Sequence, residues 1–449
     1  MIIFFIIFLL AAAVIVFIFV KSMQIPGKLK RAEELLTQGR LSEAGAIIKS
    51  VLDKQKDNIR AHYLRARMLQ DQNQYLLAIS EYNAVLNMPE FRLYVPELSI
   101  HYALAEMYGA TNNYQKQIEE YRLVLSLNPD DLNANVRLGL VLYRKKDYKK
   151  AKDAFLKVMQ IAPKHTECLL PLGISLYNIG DNDRAEEYLL KALDVVPGNS
   201  EAQYYLGCIY KHKHANDTAV SMFNEAKKDP TYYIKSLKQI GEIYFNDDRY
   251  QAAIDVLEPG LDAVSEKTEE GCDYRYLLAD CYEASGRIRE AIKCWEAIVK
   301  YMPDFRNAKA NLDGYKIVAS DDNLMDVFSI ALDDLQPYVA EIIAGFNYNI
   351  ISQEQVSATS FAYKAYNIKR IGDPPVLVMF NRTPKEVTEF DINEFYQRMQ
   401  AEKCKNGIYL ATASFSPRAS AIASSRQIEI YDGKYIGKAF EKIKIKQLR

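Results

Sequence analysis

The chain has 449 residues, room for two or three domains, and 49% of them are apolar, enough to build substantial cores. A formal net charge of −1 excludes an overall field that would draw the chain to nucleic acid or acidic lipid. The six cysteines form no CxxC pair and no small-domain spacing, so they are expected as free thiols buried in helices of a reducing compartment.

The first element in chain order is Ile2 to Val20, an unbroken run of 19 apolar residues. A helix of that length can cross about 30 Å of hydrocarbon. No Lys or Arg precedes the run, whereas Lys21, Lys28, Lys30 and Arg31 follow it. The positive-inside bias then puts everything after residue 21 on the cytoplasmic face. Residues 1–21 are therefore expected to be a transmembrane anchor. The expected placement is single-pass in a bacterial inner membrane, N-terminus out, with the later domains in the cytoplasm.

After a Pro26-Gly27 break, a second pattern begins. Gly139, Gly173, Gly207 and Gly241 lie 34 residues apart, as do Ala151, Ala185, Ala219 and Ala253, and Pro129, Pro163 and Pro197 keep the same beat. Extended both ways, the small residue runs Ala32, Ala66, Ala105, Gly139, Gly173, Gly207, Gly241, Ala279. Its partner runs Ala44, Ala78, Gln117, Ala151, Ala185, Ala219, Ala253, Ala291, with only Gln117 off type. Two small residues let paired helices approach closely. The large residue four places later (Tyr82, Tyr121, Phe155, Leu189, Phe223, Trp295) is expected to fill the space under the next repeat. Longer intervals at 91–96 and 265–271 should bulge at repeat boundaries.

These residues resemble the tetratricopeptide repeat, a helix–turn–helix unit whose copies must stack to bury their apolar faces. The resemblance covers about residues 25–303 and implies an α-α superhelix of about eight repeats with a binding groove. Phe305 to Ala319 reads as a capping helix, and residues 304–320 as cap and linker. In such repeats, helix A lines the groove. That register points Tyr102, Glu106, Asn133, Val136, Leu140, Tyr143, Glu167, Leu170, Ile174, Tyr177, Glu201, Tyr204 and Lys211 inward. The set is aromatic, aliphatic and mildly acidic, and suits an extended or helical segment with apolar anchors and some basic character. Several of these tyrosines could instead pack between repeats.

Beyond a polar linker at 321–324, residues 321–449 change periodicity. A helix from Met325 to Phe346, broken near Pro337, is followed by strand-like runs at 361–369 and 376–382. A helix at 391–404, a strand at 407–413, a helix over 415–425, a strand at 427–432 and a last helix from Gly433 complete an α/β module around a central sheet. Its carrying stretch, GIYLATASFSPRASAIASSRQIEIYDGKYI (407–436), with AGFNYNI (344–350), resembles the Mrr-type branch of the restriction-endonuclease-like fold.

That resemblance implies an acidic residue on one strand and a Glu- or Gln-x-Lys on the next, the acids holding Mg²⁺ and the lysine serving the attacking water. Here Met379 stands where the carboxylate or amide should be and Asn381 where the lysine should be. Residues 355–372 contain no Asp or Glu. Arg382 is a candidate shifted cation without a metal to serve. The module is thus expected to be a degenerate, inactive nuclease domain, with no catalytic residue, no cofactor and no metal. His212 and His214 do not share a helix face and are read as the end of an A helix and its turn. His62, His101 and His165 are read as ordinary helix residues.

From Phe361 to Arg449 there are 16 Lys/Arg against 9 Asp/Glu. Protein contact is the first expectation for this basic segment, with nucleic acid or a membrane surface behind it. The expected function is a membrane-anchored cytoplasmic scaffold that binds proteins or peptides in its groove and uses the inactive domain as a second binding module. The alternative is a membrane-tethered nuclease or a nucleic-acid-binding protein acting through the C-terminal domain.

Overall fold

In the computed structural model, which describes residues 25–370 and 372–447, the 34-residue beat becomes a beat of helix pairs. Eight pairs, helix A first and helix B second, occur among the described residues: 25–37 with Leu41–Leu52, Ile59–Asp71 with Tyr75–Leu86, Glu97–Ala110 with Tyr114–Leu127, and Leu132–Arg144 with Tyr148–Ile161. Leu169–Asn178 with Asn182–Val195, Ser200–His212 with Asn216–Ala226, Pro230–Asn246 with Tyr250–Leu257, and Glu269–Ala284 with Ile288–Tyr301 complete them. Short polar side chains start many of these helices. Asn58 and Asp131 cap A helices, and Asn113, Asp147 and Asp181 cap B helices, each accepting the N–H of the third helical residue. Between A and B the backbone passes through one left-handed residue, and Asn112, Lys146, Gly180, His214 and Asp248 hold that place 34 residues apart. His212 ends its helix and His214 is the turn residue.

The chain divides into two compact units, Met1–Tyr205 and Leu206–Arg449. In the first, the alanines of the repeat frame are fully buried, and the large residues pack inside their own repeat. A Cβ built on Gly139 would stand 2.5 Å from the Phe155 ring, and one on Gly173 would stand 2.7 Å from Leu189. This same-repeat contact was not part of the expectation, which placed these side chains under the next repeat. Gln117, the off-type residue, is accommodated by Gly109, whose missing Cβ would meet the Gln117 amide. The longer interval at 91–96 is a 3-10 turn, Phe91–Leu93, with Phe91 and Val95 buried.

In the second unit the same rule holds: Gly207 faces Phe223 and Gly241 faces Leu257, each with only 2.7 Å for a Cβ. The array does not finish on a polar cap. The expected capping helix is two short helices, Ala308–Gly314 and Lys316–Ala319. Tyr315 stacks on Trp295 at 5.5 Å and meets Phe328 edge-on. The expected linker at 321–324 is instead a helix start: Asp321 caps Asp322–Ser329, and Leu324 is fully buried. One continuous core runs from Leu257 and Trp295 through Val318 and Ile343 to Phe361, Phe380 and Phe440.

The sheet has five strands in sequential order: β1 (Tyr348–Ser357), β2 (Ser360–Asn367), β3 (Val376–Asn381), β4 (Asn406–Ala411) and β5 (Ile428–Tyr431). β1, β2 and β3 are antiparallel neighbours, and β3, β4 and β5 are parallel. Helices Glu389–Ala401 and Pro417–Ser425 make the two parallel connections. The first carries a capping box between Thr388 and Asp391, and the second places Pro417 at its first position behind the Ser416 cap. β1 is the strand sequence patterning missed. It is an edge strand, exposed along most of its length, so it lacks the alternation of a half-buried strand.

The expected membrane placement is corrected. Among the described residues no helix is long and apolar enough to cross a membrane, because each described helix is one of a set of short pieces with charged or polar positions on its open side. The run Ile2–Val20 on which that placement rested lies outside the described residues.

Candidate functional site

Two places gather the residues singled out by the sequence: the A-helix side of the first unit and the end of β3. On the first, Tyr102, Leu140, Tyr143, Leu170, Tyr177, Glu201 and Tyr204 are half-buried, and Glu106, Asn133 and Glu167 are exposed. Val136 and Ile174 are corrections, at 5% and 1% exposure, and belong to the core. Tyr102 and Val136 share a repeat position, where the long side chain emerges and the short branched one does not. Ile174 lies on a helix that starts only at Leu169, after a 3-10 turn at Thr166–Cys168. The register itself is kept, since Gly173 still faces Leu189 and Leu170 and Tyr177 stay half-buried.

The tyrosines are joined across repeats. Tyr102 Oη donates to Asp131 Oδ1 at 2.5 Å, and the same carboxylate caps the next A helix at Ala134 N. Tyr143 Oη reaches Glu201 at 3.5 Å across an intervening repeat. Tyr177 meets Tyr205 edge-on at 5.2 Å, and Tyr204 meets Tyr205 at 5.6 Å. Burial and the Asp131 carboxylate push the Tyr102 phenol well above its ordinary range. Tyr205 was not among the expected residues, although the Tyr204-Tyr205 doublet could have flagged it. Lys211 belongs to the second unit, where its ammonium is held by Gln239 at 2.8 Å and Glu242 at 2.5 Å.

Two histidines read as ordinary are built into a recurring pair. His62 Nδ1 lies 2.7 Å from Glu81, and His101 Nδ1 lies 2.7 Å from Glu120. Both bridge an A helix to the B helix of the same repeat across 19 residues. Arg65 also pairs with Glu81, and Arg92 with Glu97 beside His101.

At the sheet, Met379 pairs with Ala362 on β2 and Tyr409 on β4, and Asn381 pairs with Ser360 and Ala411. Met379 is buried with Phe395, Met399 and Tyr409. Asn381 Nδ2 donates to Tyr409 Oη at 3.1 Å, and burial pushes that phenol up to about 12. The neighbouring strand therefore offers Met379 an alanine and Asn381 a serine. A thioether and an amide in these surroundings supply no hard anionic oxygen for Mg²⁺. Among the described residues no group of three or more His, Cys, Asp or Glu could hold a metal ion. Arg382 is not turned to that site. Its Nη1 donates to Ile330 O at 2.5 Å and Val327 O at 3.4 Å, closing the end of helix Asp322–Ser329.

Comparison with known proteins follows this division. Residues 29–92, 98–131 and 273–304 match tetratricopeptide-repeat families, and 133–245 match the fifth ARM-repeat domain of TT21. Residues 346–439 match the Mrr catalytic family, described as restriction endonuclease. The array is built of tetratricopeptide repeats, and the C-terminal domain is restriction-endonuclease-like. Among solved structures, YrrB, described as a TPR protein with an unusual peptide-binding site, is 20% identical. The match covers 40% of this chain and 90% of YrrB, with a TM-score of 0.35. MamA of AMB-1 is 16% identical over 39% of this chain and 94% of its own, with a TM-score of 0.35. No curated protein matches the chain.

Within the restriction-endonuclease-like domain, the expected motif positions thus fall at the end of a real β3 beside a real β2. The chemistry at those positions is a thioether, an amide, an alanine methyl and a serine hydroxyl. All six cysteines are free and buried, and burial pushes the thiols of Cys168 and Cys281 up to about 12.

Proposed function

We propose that this protein is an interaction scaffold that holds segments of partner proteins on the A-helix side of its first unit. The observation that carries the reading is the run of half-buried tyrosines, Tyr102, Tyr143, Tyr177 and Tyr204, on successive A helices beside exposed Glu106 and Glu167. Aromatic rings offer flat apolar area at small entropic cost. Carboxylates around them favour Lys or Arg in the ligand. The matching chemistry is an extended or helical segment with aromatic or aliphatic anchors and a basic flank. Tetratricopeptide arrays in general bind peptides or proteins, which supports a binding role for the array.

The restriction-endonuclease-like domain is read as a second, non-catalytic binding module. Met379 and Asn381 at the motif positions support that reading, as does the lack of a carboxylate on β2. The test is selection of displayed random peptides on the full chain, followed by titration of the enriched sequences. Enriched peptides should carry apolar anchors with Lys or Arg. Their affinity should fall at least about tenfold in Tyr143→Ala/Tyr177→Ala and in Glu167→Lys. Peptides that bind those variants as well as the parent chain would place the binding surface elsewhere.

A further inference from the structure

The second unit holds a cavity where the last repeat meets the restriction-endonuclease-like domain. Its volume is about 520 Å³, inside the range of about 300–1,000 Å³ typical of small-molecule sites. One wall is the turn after helix Glu269–Ala284, another the end of helix Asp322–Ser329, and a third the β1–β2 turn and the residues after β3. Ile288, Phe328 and Ile330 give it apolar surface, and Glu283 and Arg382 are its charged groups.

Arg382 is the informative residue. Both of its hydrogen bonds leave from Nη1, to the carbonyls of Val327 and Ile330. Its Nε and Nη2 donate to nothing among the described residues, and no carboxylate pairs with it there. That Nε–Nη2 edge is the planar fork that grips a carboxylate or phosphate with two parallel bonds. A partly buried cation whose only partners are neutral carbonyls lacks a counter-charge. Burial accordingly holds its guanidinium below its ordinary value, with the nearby Tyr315 acting weakly the other way. Glu283 is spoken for on one oxygen, which accepts from Tyr315 Oη at 2.7 Å. Its charge in the same lining disfavours a ligand with several acidic heads.

We propose that this cavity binds a small organic anion with a single acidic head, its carboxylate or phosphate held by the Nε–Nη2 edge of Arg382 and its apolar body lying against Phe328 and Ile330. Because the ligand would touch both the last repeat and the β1–β2 turn, it would brace the array against the domain. The site is separate from the A-helix face of the first unit and stands or falls independently of it.

Calorimetric titration of the full chain with phenyl phosphate, benzoate and inorganic phosphate tests the proposal. The expected result is saturable one-to-one binding of phenyl phosphate, benzoate or both, at least about tenfold tighter than inorganic phosphate. Phenyl phosphate alone assigns a phosphate head, and benzoate alone a carboxylate head. Arg382→Lys keeps the charge and removes the fork, so it should weaken binding at least about tenfold. Ala331→Trp fills the cavity while leaving Arg382 itself in place and should weaken binding equally, so either variant that folds decides the matter. Three results overturn the proposal: no saturable binding of either organic probe up to about 10 mM, inorganic phosphate binding as tightly as the organic probes, or undiminished binding by a folded variant.

Discussion

Gly139 lies against the ring of Phe155, and a Cβ on that glycine would stand 2.5 Å from Phe155 Cε1. The relation repeats along the chain and covaries within it. Where the A-helix residue is glycine, the B-helix residue is Phe155, Leu189, Phe223 or Leu257. Where it is alanine, as at Ala66, Ala105 and Ala279, the B-helix residue is Tyr82, Tyr121 or Trp295, all deeply buried. In the four glycine repeats the missing methyl lets a ring or branched chain sit close to the A-helix backbone, while the alanine repeats keep that methyl beside their rings.

Gly139→Leu should therefore destabilise the array by about 1–3 kcal/mol through overpacking. Adding Phe155→Ala should recover part of that loss by opening the space the new side chain needs. Thermal melts of the two variants beside the parent chain check this. A Gly139→Leu melt equal to the parent's would mean the ring does not constrain that approach.

The two positions were legible because each rests on residue size at a fixed spacing, but their contact was not, since the sequence reading put Phe155 under the next repeat. The A–B turn was not, although it keeps the same period. Its left-handed residue is Asn, Lys, Gly, His and Asp in successive repeats; all but Lys146 are types that favour this conformation, but no one type recurs to mark the period. β1 was hidden because an exposed edge strand has no apolar alternation. Glu283 and Arg382 lie 99 positions apart in the sequence, and only the packing of Tyr315 and Phe328 brings them to one cavity. Strand β3, which carries Met379 and Asn381, was legible because it is a short, continuous apolar run.

The His101–Glu120 pair joins two helices of one repeat with both side chains largely buried, at 8% and 13% exposure. Removing one partner strands the other in the interior. Glu120→Leu alone should cost roughly 3 kcal/mol, and Glu120→Leu with His101→Phe should cost much less. A double-mutant cycle read by denaturant unfolding measures the difference. Equal losses in the single and double variants would show that the two side chains are not coupled.

Asp280 sets a pH dependence. Burial, with the neighbouring Glu283 adding to it and Arg306 opposing it, raises its carboxyl to about 7 from 3.8. The folded chain therefore binds this proton more tightly than the unfolded chain. The stabilisation is fully present below pH 3.8 and is lost as pH rises through about 7. Asp280→Asn mimics the protonated form, so its melting temperature should exceed the parent's at pH 8 and match it near pH 4. A gain that is constant across that range would mean Asp280 titrates at its ordinary value when folded.

The last expectation concerns metal-dependent chemistry at the end of β3. The full chain should not cut DNA with Mg²⁺ or Mn²⁺, because Met379 and Asn381 supply neither an anionic oxygen nor an ammonium group there. Restoring only those two, as Met379→Gln with Asn381→Lys, should also fail. Their β2 partners are Ala362 and Ser360, so no carboxylate faces the restored pair. Adding Ala362→Asp supplies the missing acid opposite position 379, at the strand pairing the register fixes. Any gain of cleavage should require all three changes together. Gel analysis of supercoiled plasmid with each variant separates the cases. Metal-dependent cutting by the unmodified chain, abolished by Glu354→Gln or Asp373→Asn, would refute the non-catalytic reading and make the domain a nuclease with an unconventional ligand set.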